Sequence, residues 1–147
     1  MKQGQNDLDA DLDQMVAMSM KPKMKQKKPK PGSILEEYLD HHVNYTEQYG
    51  DKLLVLMNVG SFYEIYGVIN DEVSVGPPLY EIADILNVQV AKKDKNIPQV
   101  DFKNHLMIGW PDYAILKYQR ILLTHGYRLV MVDQVTPAPN PERDVTV

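Results

Sequence analysis

The chain has 147 residues and a formal net charge of −4. It contains no cysteine, which excludes disulfides, thiolate metal sites and cysteine nucleophiles. No run of 18 apolar residues occurs in it, and its first 30 residues lack the apolar segment of a secretory signal, so we expect a protein that neither spans a membrane nor is secreted.

The charge is unevenly distributed along the chain. Residues 1–32 contain seven lysines and four aspartates, a net +3, whereas residues 33–147 contain nine Lys or Arg and sixteen Asp or Glu, a net −7. An acidic body does not bind nucleic acid strongly through phosphate neutralisation alone, because that contribution scales with the number of basic contacts. A nucleic-acid function would therefore require a local group of suitable residues.

Residues 1–32 are predicted to be a disordered Lys/Pro-rich tail in front of a folded domain at 33–147. Prolines interrupt any helix there, and the composition cannot bury a core. Six lysines form what we call the lysine arm: Lys21, Lys23, Lys25, Lys27, Lys28 and Lys30. The arm is typical of a nucleic-acid-binding or nuclear-import segment, and equally of a solvated tail that only aids solubility.

The first predicted helix begins at Ser33. The sequence Ser-Ile-Leu-Glu has capping-box spacing, in which hydroxyl and carboxylate each satisfy a backbone donor of the other residue. Apolar and aromatic residues then recur at helical spacing as far as Tyr49, and Gly50 is suited to end the helix. His41 and His42 have no further ligand type at i+4 spacing, so no metal site is expected on this helix.

Two paired strands are predicted next. The continuous apolar run at residues 53–57 predicts a strand that is covered on both faces. A turn at 58–60 leads into a second strand at 60–67, and the short connection predicts a hairpin.

The second strand of this hairpin carries the most informative residues. Strand side chains alternate between faces, so Tyr63 and Ile65 share one face while Phe62, Glu64 and Tyr66 share the other. A carboxylate is rarely buried without a partner, and Glu64 therefore predicts that the second face is exposed to solvent. An aromatic ring and an acid would then lie together on an exposed surface.

The remaining sequence predicts two more helices and several strands. In chain order these are a helix at 77–87, a short strand at 88–90, a polar loop at 92–104, a strand at 106–108, a helix at 112–125, a strand at 127–135, an extended proline segment at 136–141 and the start of another strand at 143–147. This order predicts the α/β class: a single domain with a mixed β-sheet flanked by α-helices.

Catalytic motifs find little support. The chain has neither a Gly-x-Ser-x-Gly elbow nor a Gly-rich phosphate loop. Some small nucleases hold a metal ion with an acid-x-Lys triplet on a strand. The only such triplet here, Asp101-Phe102-Lys103, lies in the predicted polar loop, where its acid would not be rigidly placed. Trp110 is predicted to be a half-exposed cap of the core, with a partner contact as the alternative. The pattern alone also allows Glu64 to pair with a lysine and Phe62 to be covered by the tail or a loop.

The hairpin sequence Gly60-Ser-Phe-Tyr-Glu-Ile-Tyr resembles the Gly-x-Phe-Tyr-Glu-Leu-Phe motif of the N-terminal mismatch-recognition domain of MutS DNA mismatch repair proteins. The resemblance covers 33–147 and includes four further segments. They are the opening helix at 33–49, the strand at 53–57 before the motif, Leu106-Met-Ile-Gly-Trp-Pro, which is similar to Pro-Met-Ala-Gly-Val-Pro, and residues 118–134, which end in Asp-Gln where the family has Glu-Gln. Details including Pro137-Ala-Pro-Asn-Pro resemble the divergent forms of large DNA viruses and organelles.

The resemblance implies roles for two residues. Phe62 would wedge into a duplex and stack on a mispaired or unpaired base, and Glu64 would hydrogen-bond the same base. An apolar wedge partly unstacks a base step at a cost on the order of a few kcal/mol, and a mismatched step should be easier to deform. Glu64 repels phosphate, so it should favour a displaced base over intact duplex.

The resemblance also implies partners and location. The expected partner is double-stranded DNA with a mismatch or unpaired base, together with the remaining MutS domains or a repair partner, wherever that DNA lies in the cell: nucleus, organelle, nucleoid or viral factory. No catalytic residue and no cofactor is expected, because ATP and magnesium belong to an ATPase domain whose Walker motif does not occur in these 147 residues. The alternative is a non-catalytic protein-interaction or structural module that keeps the fold but not DNA binding, which the acidic body favours.

Overall fold

The structure is a computed structural model that describes residues 28–136 and 142–147. Most of the predicted tail, including Lys21, Lys23, Lys25 and Lys27, and most of the predicted proline segment lie outside the described residues. The described elements are α1 (Ile34–Tyr49), β1 (Leu53–Val59), β2 (Phe62–Ile69), β3 (Ser74–Val75), α2 (Leu79–Leu86), β4 (Ala91–Lys92), β5 (Leu106–Pro111), a 3-10 turn (Asp112–Ala114), α3 (Ile115–Thr124), β6 (Arg128–Gln134) and β7 (Arg143–Thr146).

The seven strands form one mixed sheet, which confirms the predicted fold class. Their order is β4-β5-β2-β1-β6-β7, and the short β3 pairs with the far end of β2. β1 and β6 are parallel, whereas all the other pairs in this part of the chain are antiparallel. A parallel pair needs a long crossover connection, and the chain between β1 and β6 contains β2 to β5 and two helices.

The helix α1 covers one face of the sheet. Ser33 caps it by accepting a hydrogen bond from the Glu36 N–H at 3.2 Å, while the Glu36 carboxylate accepts from the N–H of Gly32 at 2.8 Å, one residue earlier than a standard capping box predicts. Gly50 ends the helix as predicted, with a φ of 92°. Tyr38 is fully buried and donates its hydroxyl to the carbonyl of Val55 at 2.8 Å, which fixes the helix on β1.

The helices α2 and α3 cover the opposite face. Leu79 of α2 packs against Gly67 of β2, where a Cβ would lie 3.2 Å from a Leu79 methyl carbon. Tyr118 of α3 stacks on Trp110 of β5, with ring centroids 4.4 Å apart. Trp110 is only 2% exposed, so the prediction of a half-exposed cap was wrong: α3 crosses directly over the indole, a contact that strand periodicity does not reveal.

Two predicted boundaries also differ from the structure. Residues 88–90 are not a strand, because Asn87 ends α2 in the left-handed conformation and the chain needs three further residues to reach the edge of β5, where Ala91 and Lys92 pair. The helix predicted at 112–125 starts with a 3-10 turn and becomes α-helical at Ile115. The strand predicted after residue 143 is confirmed as β7.

The long polar connection between β4 and β5 is ordered around one buried amide. Asn104 is 2% exposed, its oxygen accepts from the Asp94 N–H at 2.7 Å, and its amide nitrogen donates to the carbonyls of Ile97 at 3.2 Å and Gln99 at 2.8 Å. Asn70, next to the end of β2, donates to the Val100 carbonyl at 2.7 Å. Side-chain bonds to backbone groups thus replace a regular element in this loop.

Replacing Asn104 with alanine should lower the free energy of unfolding by about 1–3 kcal/mol, because it removes three part-buried hydrogen bonds between a buried side chain and the loop backbone. Asn96→Ala is the matched control, since Asn96 lies in the same loop but is exposed; it should change stability by less than about 0.5 kcal/mol. Urea unfolding of the full chain measures both. Equal effects of the two substitutions would show that Asn104 does not organise the loop.

Candidate nucleic-acid interface

The turn between β1 and β2 is held from several directions. We call residues 58–62 the hairpin tip. Gly60 has a φ of 60°, a left-handed conformation that suits glycine. The Asn58 amide donates to the carbonyls of Gly60 at 3.2 Å and Phe62 at 3.1 Å, and the Gly60 N–H donates to the Gln134 side chain on β6 at 3.1 Å. The Gln134 N–H in turn donates to the Asn58 side chain at 3.1 Å, so the tip is fastened to the sheet.

Phe62 stands at this fastened tip with its ring half exposed. It is the first residue of β2 and lies between Val59 on one neighbouring strand and Pro111 on the other. The N–H of Asp112 donates to the Ser61 carbonyl at 2.8 Å, which fixes the backbone just before it. Phe62 is nevertheless 46% exposed, so a fixed backbone presents a half-exposed aromatic ring.

The face that Phe62 shares with Glu64 and Tyr66 is not exposed along its whole length. Phe62 is exposed, Glu64 is partly buried, and Tyr66 is only 2% exposed. The prediction of a solvent face was therefore wrong for Tyr66, because α1 covers that part of β2 through Tyr38, whose ring lies edge-on to Tyr66 at 5.3 Å. Burial along this face increases steadily away from the tip.

The partner of Glu64 is a tyrosine rather than a lysine. The Tyr66 hydroxyl donates a hydrogen bond to Oε1 of Glu64, and no ion pair involves Glu64 within residues 28–136 and 142–147. Burial, and then the hydrogen bond to Glu64, raise the pKa of Tyr66 well above its ordinary value, so the phenol remains protonated at neutral pH. The acid is thus held on the sheet by a neutral donor.

On the opposite face, Tyr63 connects β2 to β6. Its hydroxyl donates to Oδ1 of Asp133 at 2.6 Å, and burial followed by this bond raises the pKa of Tyr63 above its usual range. Asp133 is the residue that stands where the resembling motif has glutamate. The bond braces the tip from the side that faces α3.

The chain enters α1 at the same end of the sheet as the hairpin tip. Glu37, in the first turn of α1, is bonded at 3.1 Å by Arg143, which also donates to the Asn58 carbonyl at 3.0 Å. Lys28 and Lys30, the described members of the lysine arm, lie just before this helix and are exposed. The structure therefore brings the end of the arm to the same end of the sheet as Phe62.

Sequence reasoning missed two features of this end. Tyr113 is 86% exposed and follows Asp112, which bonds Ser61 in the tip, so a second aromatic ring stands at the same edge. Nothing in the local pattern distinguished it from the other tyrosines. The bond between Tyr66 and Glu64 was also missed, although their spacing of two residues on one strand face was a usable signal.

The other residues considered as candidates, Asp101 and His41, make contacts within the fold. Asp101 accepts hydrogen bonds from the N–H groups of Lys103 and Asn104, and Phe102 between them is buried. Nε2 of His41 lies 3.9 Å from Oε2 of Glu37 on the same helix.

Among the described residues, no group of three or more His, Asp or Glu side chains could hold a metal ion. None of the helices in this part of the chain is long and apolar enough to cross a membrane.

These features define a class of protein: a small α/β domain that presents a half-exposed aromatic ring and a hydrogen-bonded acid at one end of a mixed sheet. Residues 37–146 match the family MutS domain I, and the chain belongs to that family, which confirms the resemblance read from its hairpin.

Two relatives show how the chain compares with known proteins. A DNA mismatch repair protein MutS homologue of Acanthamoeba polyphaga mimivirus is 30% identical over 118 residues. The DNA mismatch repair protein MutS of Thermus aquaticus is 33% identical over 116 residues. Each alignment covers 76% of this chain but only 10% and 12% of the respective relative, so the chain spans about a tenth of their length.

Burial of His105 beneath this site predicts a pH dependence of stability. His105 is 4% exposed and its ring lies 4.6 Å from that of Tyr66; burial lowers its pKa below the ordinary 6.5. The unfolded chain therefore binds a proton near pH 6.5 that the folded chain binds only at a lower pH, so stability falls as the pH falls below this value.

In His105→Gln, the loss of stability between pH 6.5 and about 5 should be shallower, by at most about 1.4 kcal/mol per pH unit. The cost of the substitution at about pH 8, where both states of the wild type carry neutral histidine, gives the packing effect alone. Urea unfolding across this range measures both. An unchanged pH dependence in the variant would contradict the assignment to His105.

Proposed function

We propose that this chain is a DNA mismatch-recognition module without catalytic activity of its own, in which Phe62 is the wedge and Glu64 binds the displaced base. The observation that supports this most strongly is the half-exposed Phe62 ring on a backbone fastened from both sides. Membership of the MutS domain I family and the two relatives named as mismatch repair proteins point the same way.

A wedge residue on a hydrogen-bonded, ordered backbone suits the energetics of mismatch recognition. Inserting a side chain costs on the order of a few kcal/mol for each unstacked base step, and aromatic stacking returns roughly 1–3 kcal/mol per base. These terms nearly cancel, so a modest saving at a weakened step decides whether insertion is favourable. Because the tip backbone is already ordered, little further conformational entropy is lost on binding.

Glu64 adds discrimination against matched DNA. Its carboxylate repels phosphates, and in a matched duplex the base edges are already paired and offer it no compensating bond. A mispaired or unpaired base can turn an N–H group toward the acid. Glu64 therefore disfavours intact DNA and favours a displaced base.

The negative charge of the folded domain limits its affinity for DNA. With a net charge of −7 over residues 33–147, the body gains little from phosphate neutralisation, so basic contacts must come from the lysine arm or from outside this chain. We infer that the domain acts as part of a longer MutS protein, as the length of its relatives suggests. ATP and magnesium would then serve the other domains of that protein.

Phe62→Ala should abolish the preference for a duplex with one mismatch or unpaired base over the matched duplex, because stacking on the base is lost. Fluorescence anisotropy with the two labelled duplexes at a fixed salt concentration measures the ratio of affinities. Tyr80→Ala is the matched control: Tyr80 is similarly exposed at 55%, but on α2 across the sheet, and its loss should leave the ratio unchanged.

Equal affinity of the wild-type chain for both duplexes would refute mismatch recognition by this chain. It would favour the alternative of a protein-interaction or structural module, which the acidic body also supports.

Lys28→Gln with Lys30→Gln should make binding to matched duplex less salt-dependent, because each phosphate contact contributes about 0.9 to the slope of log affinity against log salt. The double variant should lose up to about 2 from this slope, and glutamine at all six lysines of the arm up to about 5. Lys95→Gln with Lys103→Gln removes the same charge from the opposite end of β5 and should change the slope less. Identical slopes for the two double variants would exclude a specific role of the arm.

A further inference from the structure

Glu64 and Tyr66 lie on the same face of β2, joined by a hydrogen bond from the Tyr66 hydroxyl to Oε1 of Glu64. We propose that Tyr66, together with Gly109 on β5, holds the Glu64 carboxylate in one orientation and so sets how strongly the site prefers a displaced base. The inference rests on the proposed function, which gives Glu64 a base to bind. Tyr66 is a positioning residue, because it acts through Glu64 and does not touch DNA.

The position of the Tyr66 hydroxyl is determined by the core. Its ring lies edge-on to Tyr38, with centroids 5.3 Å apart, and against His105 at 4.6 Å. With only 2% of the residue exposed, the ring cannot turn its hydroxyl away from Glu64 without disturbing this packing. The donor is therefore fixed before any ligand arrives.

Gly109 leaves the space in which the Glu64 side chain lies. It is the cross-strand partner of Glu64 on β5. A Cβ at position 109 would lie 3.3 Å from Cγ of Glu64 and 3.7 Å from its Oε2. The absence of a side chain thus lets Glu64 rest across the neighbouring strand, with Tyr66 bonding one oxygen and Gly109 beside the other.

This arrangement has a consequence for specificity. An ionised carboxylate only accepts hydrogen bonds, so its ligand is a displaced base that presents an imino or amino N–H. Oε1 already accepts one hydrogen bond from Tyr66, whereas Oε2 accepts none from the described residues and has its full acceptor capacity for a base. Without this restraint, the Glu64 side chain would lose conformational entropy when it bonds a base. Because only a displaced base forms that bond, this entropy cost would weaken the mismatched complex and not the matched one.

The hydroxyl also distinguishes this chain from the motif that its hairpin resembles, which has phenylalanine at the position of Tyr66. Tyr66→Phe therefore removes only the hydroxyl and keeps a ring of the same shape. Tyr38→Phe is the matched control, because Tyr38 is an equally buried tyrosine whose hydroxyl bonds the Val55 carbonyl instead.

The first test needs no DNA. Three-bond couplings of the Glu64 side chain, measured by NMR on the isotope-labelled full chain, should report one rotamer in the wild type and in Tyr38→Phe. They should report rotamer averaging in Tyr66→Phe. Gly109→Ala should also change the Glu64 couplings, because the added Cβ would lie 3.3 Å from Cγ of Glu64. Unchanged couplings in Tyr66→Phe would overturn the proposal.

The second test measures binding to mismatched and matched duplexes. Tyr66→Phe should lower the preference for the mismatch about threefold or more, with unchanged affinity for matched DNA, and should have no effect in a Glu64→Ala background. A loss of the same size in that background would show that Tyr66 acts through the fold and would overturn the specificity claim. If the wild type shows no preference, the proposed function fails together with that claim, while the couplings still decide whether Tyr66 positions Glu64.

Discussion

β2 is hydrogen-bonded to β1 on one side and to β5 on the other, and its register in this pairing decides which side chains reach the hairpin tip. A shift of one residue would turn Phe62 and Glu64 toward α2 and α3 and bring Tyr63 to the other face. The register is resistant to such a shift because Gly67 fits against Leu79 and Gly109 against Glu64, where an added Cβ would lie 3.2 Å and 3.3 Å from the respective side chain. The proposed recognition surface is thus specified by strand pairing and small residues rather than by the aromatic residues themselves.

Along β2, α1 creates a gradient from the core to solvent. Tyr66 lies beneath the helix, Glu64 at its margin and Phe62 beyond it. An acid at such a margin needs a partner, and the one it has is a neutral donor rather than a cation. A lysine in that place would cancel the charge with which Glu64 repels phosphate, whereas a phenol satisfies the oxygen and leaves the charge in place. The gradient therefore both supports the acid and preserves its electrostatic effect.

The sequence was sufficient for most of the fold because its helices and strands carry local signals, such as the Ser33 cap, the alternation in β2 and the glycine after α1. It failed where a contact between distant elements decides the outcome. Trp110 is buried because Tyr118 lies over it, and Gly109 matters because β5 pairs with β2. Phe62 and Glu64 became candidates for the site through a resemblance, since strand alternation placed them on one face but gave no function for the pair. Lys28 and Lys30 reach the same end of the sheet only because α1 runs back along β1, which no local pattern shows.

Weak affinity is consistent with a recognition role. A module that bound every duplex tightly would mostly occupy matched DNA, which vastly outnumbers mismatches. Under the proposed function, the net charge of −7 over residues 33–147 would lower the affinity for all DNA and so improve discrimination. In a longer protein, contacts between other domains and the DNA would hold the hairpin tip close to the duplex. The effective concentration of the tip at the DNA would then rise although the tip itself makes no additional contact. The proposed wedge would then need only to respond to the difference between a weakened base step and an intact one. A hairpin tip with a hydrogen-bonded backbone, a half-exposed Phe62 ring and a Glu64 that accepts from Tyr66 would meet that requirement.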